Sequence, residues 1–175
     1  NVLVNQSWII RDSHQAAEDD RIHLHPLIET AVLRNLQPTL KDCQAYLEAA
    51  IRVYSSNDEE IEAMDRHDAC AILIRAGELF HEEYDTDSVG LLIRQASVIY
   101  KAHQYRQAWG QCNLALSICE TSTCAACQDL LPQAYSLHAD LAVKLADYQT
   151  AIKAYHTAID MWEKQLHPPY EDIVE

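Results

Sequence analysis

A set of small and aromatic residues occurs twice in this chain at one fixed offset. Tyr105, Ala108, Ala115 and Leu116 recur 43 residues later as Tyr148, Ala151, Ala158 and Ile159, and each set is preceded by an alanine at the matching place, Ala96 or Ala139. Self-similarity at a fixed period marks supersecondary units that bury their apolar faces on one another, because one unit alone cannot. Residues three and four apart share a helix face. The small residues therefore mark where paired helices approach closely, with the aromatic packing between them. The units run from Leu91 to Ile118 and from Ala134 to Trp162.

The rest of the chain agrees with helix. Only 3 Gly and 5 Pro interrupt 175 residues, and most other positions carry good helix formers. Leu40, Cys43, Leu47, Ile51 and Tyr54 keep helical spacing up to a break at Ser55-Ser56-Asn57. Asn57 and Glu60 then resemble a capping box. Ile61, Met64, Ala69, Ile72, Leu73, Ala76 and Phe80 mark the core face of the following helix. The first 25 residues read differently. Trp8-Ile9-Ile10 is β-prone, and Arg21-Ile22-His23-Leu24-His25 alternates at period two, which predicts a short hairpin with a polar connection over residues 13–20. Pro26 suits the first turn of a helix whose buried stripe is Ile28, Val32 and Leu36. The ends, Asn1 without a methionine and Ile173-Val174-Glu175 at what looks like the start of another helix, read as boundaries within a longer protein.

Charge and composition exclude several classes of function. A net charge of −14 argues against a phosphate backbone as partner and favours a basic peptide or protein. No apolar run is long enough to span a bilayer and no signal-peptide pattern opens the chain, so it reads as cytoplasmic. Cys43, Cys70 and Cys112 fall at apolar helical positions as small hydrophobes. Cys119-x4-Cys124-x2-Cys127 has metal-like spacing, and His138 could complete a tetrahedral zinc site. A structural site needs two ligand pairs, however, and only one is present, so the cluster reads as an inter-helix loop with incidental cysteines. A disulfide there would follow only from oxidation in vitro. Asp58-Glu59-Glu60 and Glu82-Glu83-Tyr84-Asp85 read as solvated helix ends and loops. No Gly-rich phosphate loop, catalytic carboxylate pair or nucleophile triad is recognisable, and the chain is expected not to be an enzyme.

The second unit, with Tyr148, Ala151, Tyr155 and Ala158, resembles the tetratricopeptide repeat (TPR). The first has Cys112 where Tyr155 stands. Both lack the glycines usual to that family, having Ala96, His103, Ala139 and Ala146 instead. The period exceeds the ~34 residues of the plain repeat. The run from Ala158 to His167-Pro168 is similar to the longer repeats of the kinesin-light-chain variety. This resemblance covers residues 89–175. It implies that the first helix of each unit lines a concave groove, at Gly90, Ile93, Ser97 and Lys101, then Gln133, Ser136, Asp140 and Lys144. Ile93, Ser97, Ser136 and Asp140 fill the places where chaperone-binding members clamp a C-terminal carboxylate. That clamp is therefore expected to be missing.

Residues 1–55 carry a second resemblance. Ser7-Trp8-Ile9-Ile10 followed by Asp20-Arg21-Ile22-His23-Leu24-His25-Pro26-Leu27-Ile28 is similar to the end of the winged-helix domain of STAND-type (NB-ARC-like) signalling NTPases. His25 stands at the histidine of that family's methionine-histidine-aspartate motif, and Pro26 replaces the aspartate. The resemblance implies that His25 senses nucleotide in a full-length parent, whose nucleotide-binding core would lie upstream.

Together these readings predict an all-α protein with a short N-terminal β-hairpin. Residues 1–38 would be the end of a winged-helix-like domain, residues 39–85 a helical adaptor or degenerate repeat, and residues 86–175 TPR-like repeats. Residues 39–165 would form a right-handed α-solenoid of paired antiparallel helices. The expected function is a non-catalytic interaction or sensor module of a larger signalling NTPase. It would bind a peptide or protein on its concave face or pack on the NTPase core. An independent TPR scaffold or adaptor is the alternative. No metal and no cofactor is expected in this chain, ADP or ATP belonging to the parent, and neither nucleic acid nor membrane is an expected partner.

Overall fold

The computed structural model describes residues 9–12, 21–24, 34–56 and 63–166, and the chain divides into two compact units, residues 1–39 and 40–175. In the first unit, strands β1 (Ile9–Asp12) and β2 (Arg21–Leu24) pair antiparallel, with Ile9 opposite Leu24 and Asp12 opposite Arg21. The connection over 13–20, His25, Pro26, Ile28 and Val32 lie outside the described residues. Leu36, expected in a buried stripe, is exposed. It closes a short helical turn over residues 34–36, and Gln37 with φ 40 then turns the backbone out of the helix.

The described residues of the second unit are all helical apart from their connections: α1 (Leu40–Ser55), α2 (Ala63–Leu79), α3 (Val89–Lys101), α4 (Tyr105–Thr121), α5 (Ala125–Lys144) and α6 (Tyr148–Leu166). Each helix packs mainly on its sequence neighbours. On α1 the predicted stripe delivers Leu40, Leu47 and Ile51 to the core, and on α2 it delivers Ala69, Leu73 and Ala76, with Phe80 just beyond. The capping box at Asn57 and Glu60 lies outside the described residues. The acidic run 82–85 is largely solvated, as its composition suggests, yet it also organises two helix starts. A Glu83 carboxylate oxygen accepts the backbone N–H of Leu40 at 2.7 Å, satisfying an unpaired donor at the first turn of α1. Asp85 accepts from the backbone N–H groups of Asp87 and Ser88 and from the Ser88 hydroxyl, ahead of α3. These bonds hold its carboxyl below the usual range.

The repeated small residues lie in the core. Ala96, Ala108, Ala115, Ala139, Ala151 and Ala158 are all buried, so the helices of each unit meet with little side-chain bulk between them. In both repeats the first helix ends in the same left-handed turn. His103 (φ 62) and Ala146 (φ 63) occupy equivalent places. After α3, Gln104 N–H donates to Ile99 C=O at 3.1 Å and His103 N–H to Tyr100 C=O at 2.9 Å. After α5, Asp147 N–H donates to Ala142 C=O at 2.8 Å and Ala146 N–H to Val143 C=O at 3.1 Å. This paired bonding is the Schellman termination, here without glycine. One expectation divides between the units. Tyr105 packs on Tyr100 with ring centroids 5.8 Å apart, whereas Tyr148 is exposed. The difference has a cause in the sequence: Tyr105 also meets the His103 ring, and at the places of Tyr100 and His103 the second unit has Val143 and Ala146.

Candidate functional site

Helices α3 and α5 lie side by side and leave a hollow of about 270 Å³ between them. Its lining includes Ile93, Ser97 and Lys101 from α3 and Gln133, Ser136 and Asp140 from α5. The α3 trio is spaced four and four and the α5 trio three and four, spacings that put side chains on one helix face. Six of the eight positions singled out from the sequence thus meet at one place. The other two do not line it. A Cβ on Gly90 would sit 3.6 Å from Leu130 Cδ1, so Gly90 lies beneath the passing α5. Lys144 is exposed in the last turn of α5.

Tyr100, Leu137 and Trp162 complete the hollow. Their participation depends on how neighbouring helices meet, which spacing within one helix does not reveal. Trp162 does carry a signal, since it takes the place of Cys119 in the preceding unit. The floor is apolar, with Ile93 and Leu137 both buried. The rim is polar and of both signs. Tyr155 donates its hydroxyl hydrogen to Asp140, and this bond, more than burial, pushes the Tyr155 pKa up to about 12. Asp140 therefore has one fixed partner and oxygen capacity left for a second donor. Lys101 is exposed, and no carboxylate lies within ion-pair range of it among the described residues. An apolar floor between a carboxylate and an ammonium can grip a chain segment by side-chain burial and by its charges.

The cysteine cluster is arranged differently. Cys119 and Cys127 are buried and interact as thiols, while Cys124 is exposed at the N-cap of α5. Burial, reinforced by Cys127, pushes the Cys119 thiol up to about 11, which keeps it protonated and a poor ligand. His138 stacks on Trp109 with centroids 4.2 Å apart. Among the described residues no group of three or more His, Cys, Asp or Glu side chains is placed to hold a metal ion. His25, the expected nucleotide sensor, lies outside the described residues.

A larger hollow of about 420 Å³ lies between α2 and α4, lined by residues that include Ile74, Gly77, Arg106, Gln111 and Leu114. None of the predicted positions is in it. Among the described residues no helix is long and apolar enough to cross a membrane. No known protein family, curated protein or solved structure matches the chain.

Proposed function

We propose that the helical unit is a non-catalytic protein-interaction module of TPR-like solenoid type, and that the hollow between α3 and α5 receives an extended or helical peptide. The observation that carries this reading is the meeting of Ile93, Ser97, Lys101, Gln133, Ser136 and Asp140 around one apolar floor. Gly90 and Lys144 extend the two rows to either side. The net charge of −14 favours a basic partner, more through the rate of encounter than through final affinity.

Peptides selected from a displayed random library against the whole chain test this. Enriched sequences should be basic with one or two apolar anchors. Ser97→Trp should weaken them roughly tenfold by filling the hollow while leaving the melting temperature nearly unchanged. Selected peptides that bind the Ser97→Trp variant as well as the parent chain would place the binding surface elsewhere.

The wider reading is that this module serves sensing or autoinhibition in a cytoplasmic STAND-type NTPase, with β1 and β2 as the end of its winged-helix domain. His25 would then contact nucleotide, or the core that holds it, only in that parent. It rests on the resemblance of residues 1–55. The gene upstream of Asn1 should encode a Gly-rich phosphate loop and a Walker-B aspartate, and a start codon close by would overturn it.

A further inference from the structure

Three thiols meet where α4 gives way to α5. Cys119 lies in the last turn of α4 and is fully buried. Cys124 caps the start of α5 with an extended backbone (φ −66, ψ 129) and is exposed, and Cys127, one turn further, is fully buried. The corner is held by its own hydrogen bonds. The Gln128 side-chain amide donates to the Cys119 carbonyl at 3.3 Å and to the Ser122 carbonyl at 2.8 Å, and the Cys124 N–H donates to the Ser122 hydroxyl at 3.0 Å. The Gln128 N–H donates to the Cys124 carbonyl at 3.0 Å, so residues 124–128 make a regular first turn.

Spacing alone does not tell an exchangeable dithiol from incidental cysteines, but placement does. Cys124-Ala125-Ala126-Cys127 puts one thiol where a solute can reach it and the second just inside the same turn. Cα atoms three residues apart on a helix are about 5 Å apart, within the range that a disulfide spans. The Cys127 thiol lies within hydrogen-bond reach of Cys119 and donates to the Thr86 carbonyl at 3.7 Å, so turning toward Cys124 gives up only weak thiol contacts. Cys119 is closed to solvent, and the burial that raises its pKa leaves it a poor nucleophile.

We propose that Cys124 and Cys127 form an exchangeable dithiol whose substrate is a small aliphatic disulfide, Cys124 attacking and Cys127 resolving. Cys124, as its thiolate, attacks one sulfur of the substrate. The substrate S–S bond breaks, one half stays bonded to Cys124, and the other leaves as a thiolate that takes up a proton. Cys127 then gives up its proton, attacks Cys124 Sγ and expels the second half as a thiolate, which is protonated in turn. Two cysteine thiols are oxidised to one disulfide while one substrate disulfide is reduced to two thiols. A cationic substrate is favoured, because Glu120 and Asp129 are exposed at this corner and the chain carries a net charge of −14. The site is separate from the α3–α5 hollow and independent of what that hollow binds.

Cystamine, a dicationic disulfide, tests this on the full chain, with free thiols alkylated at timed intervals and peptides mapped by mass spectrometry. Cleavage after Glu120 leaves a 124–127 bond within one peptide, whereas a 119–127 bond would join two. The parent chain should yield the 124–127 disulfide, with Cys124 reacting roughly tenfold faster than half-buried Cys43. Cys127→Ala should stop at the mixed disulfide on Cys124. Cys124→Ser alters only an exposed side chain, and with helix content unchanged by circular dichroism it should lose both products and leave Cys119 and Cys127 as free thiols. A mixed disulfide that persists on Cys124 in the parent chain would show that Cys127 does not resolve it. A 119–127 disulfide formed as fast in Cys124→Ser as in the parent would show that the buried pair oxidises without the exposed thiol. Either result overturns the proposal.

Discussion

Gln111 lies across Gly77 to place its amide on the Leu73 carbonyl at 3.1 Å, in a buried setting. A Cβ at position 77 would stand 2.0 Å from that amide nitrogen. Gly77→Ala must therefore push the amide off its acceptor, at a cost of about 1–3 kcal/mol for a buried donor left unpaired. That outweighs the gain of roughly 1 kcal/mol from replacing glycine inside a helix. The sign should reverse when the obstruction is gone: in a Gln111→Ala background the same Gly77→Ala change should stabilise, and urea unfolding of the four variants reads this coupling. His138 gives a pH-dependent counterpart. Burial against Trp109 holds its pKa below the ordinary 6.5, with Glu120 and Asp147 opposing the shift, and its buried Nδ1 has no hydrogen-bond partner. Above the unfolded value both states are neutral and the contribution to stability is complete. As pH falls through 6.5 toward the folded value, the unfolded chain takes up a proton that the folded chain resists, and stability is lost. His138→Phe keeps a ring on Trp109 and should flatten the fall in melting temperature that sets in as the pH drops below the ordinary histidine value of 6.5.

Among the elements, the terminations of α3 and α5 separate what could be read from sequence from what could not. The repeat itself was visible in alanines and tyrosines at helical spacing, and so were the faces of α1 and α2. The turn between the helices of each unit was not, because its usual marker is glycine and His103 and Ala146 stand there instead. Backbone bonds from Gln104 and Asp147 hold those residues left-handed, and no side-chain pattern reports this. A left-handed L-residue costs about 1 kcal/mol, part of which glycine returns through its freer unfolded state. Ala146→Gly should accordingly raise stability by about 0.5 kcal/mol, measured by chemical denaturation. His103→Gly should gain less, since it also removes the 2.7 Å bond between the imidazole Nδ1 and the Tyr105 hydroxyl. The candidate site divides in the same way. Ile93, Ser97, Lys101, Gln133, Ser136 and Asp140 were named only through the family resemblance, whereas Tyr100 and Leu137 enter because α3 and α5 lie side by side.

Over the molecule as a whole, the pairing of each helix mainly with its sequence neighbours sets how the second unit comes apart. Most contacts join residues close in the chain, so each helix opens with a free energy set by the two beside it. Backbone amides should then exchange with deuterated solvent in spatial order. Those of α4, held between α3 and α5, should be slowest, and those of α6, held mainly by α5 among the described helices, should be fastest. Mass spectrometry of peptides from a timed exchange measures this, and uniform protection across α3 to α6 would contradict it. The exposed row on α6, from Tyr148 through Ile152 and Ile159 to Trp162, thereby acquires a meaning in time as well as in space: the described helix held mainly by one neighbour should open most often, and whatever settles on Trp162 and Ile159 should slow that opening without touching the turns that hold the earlier helices.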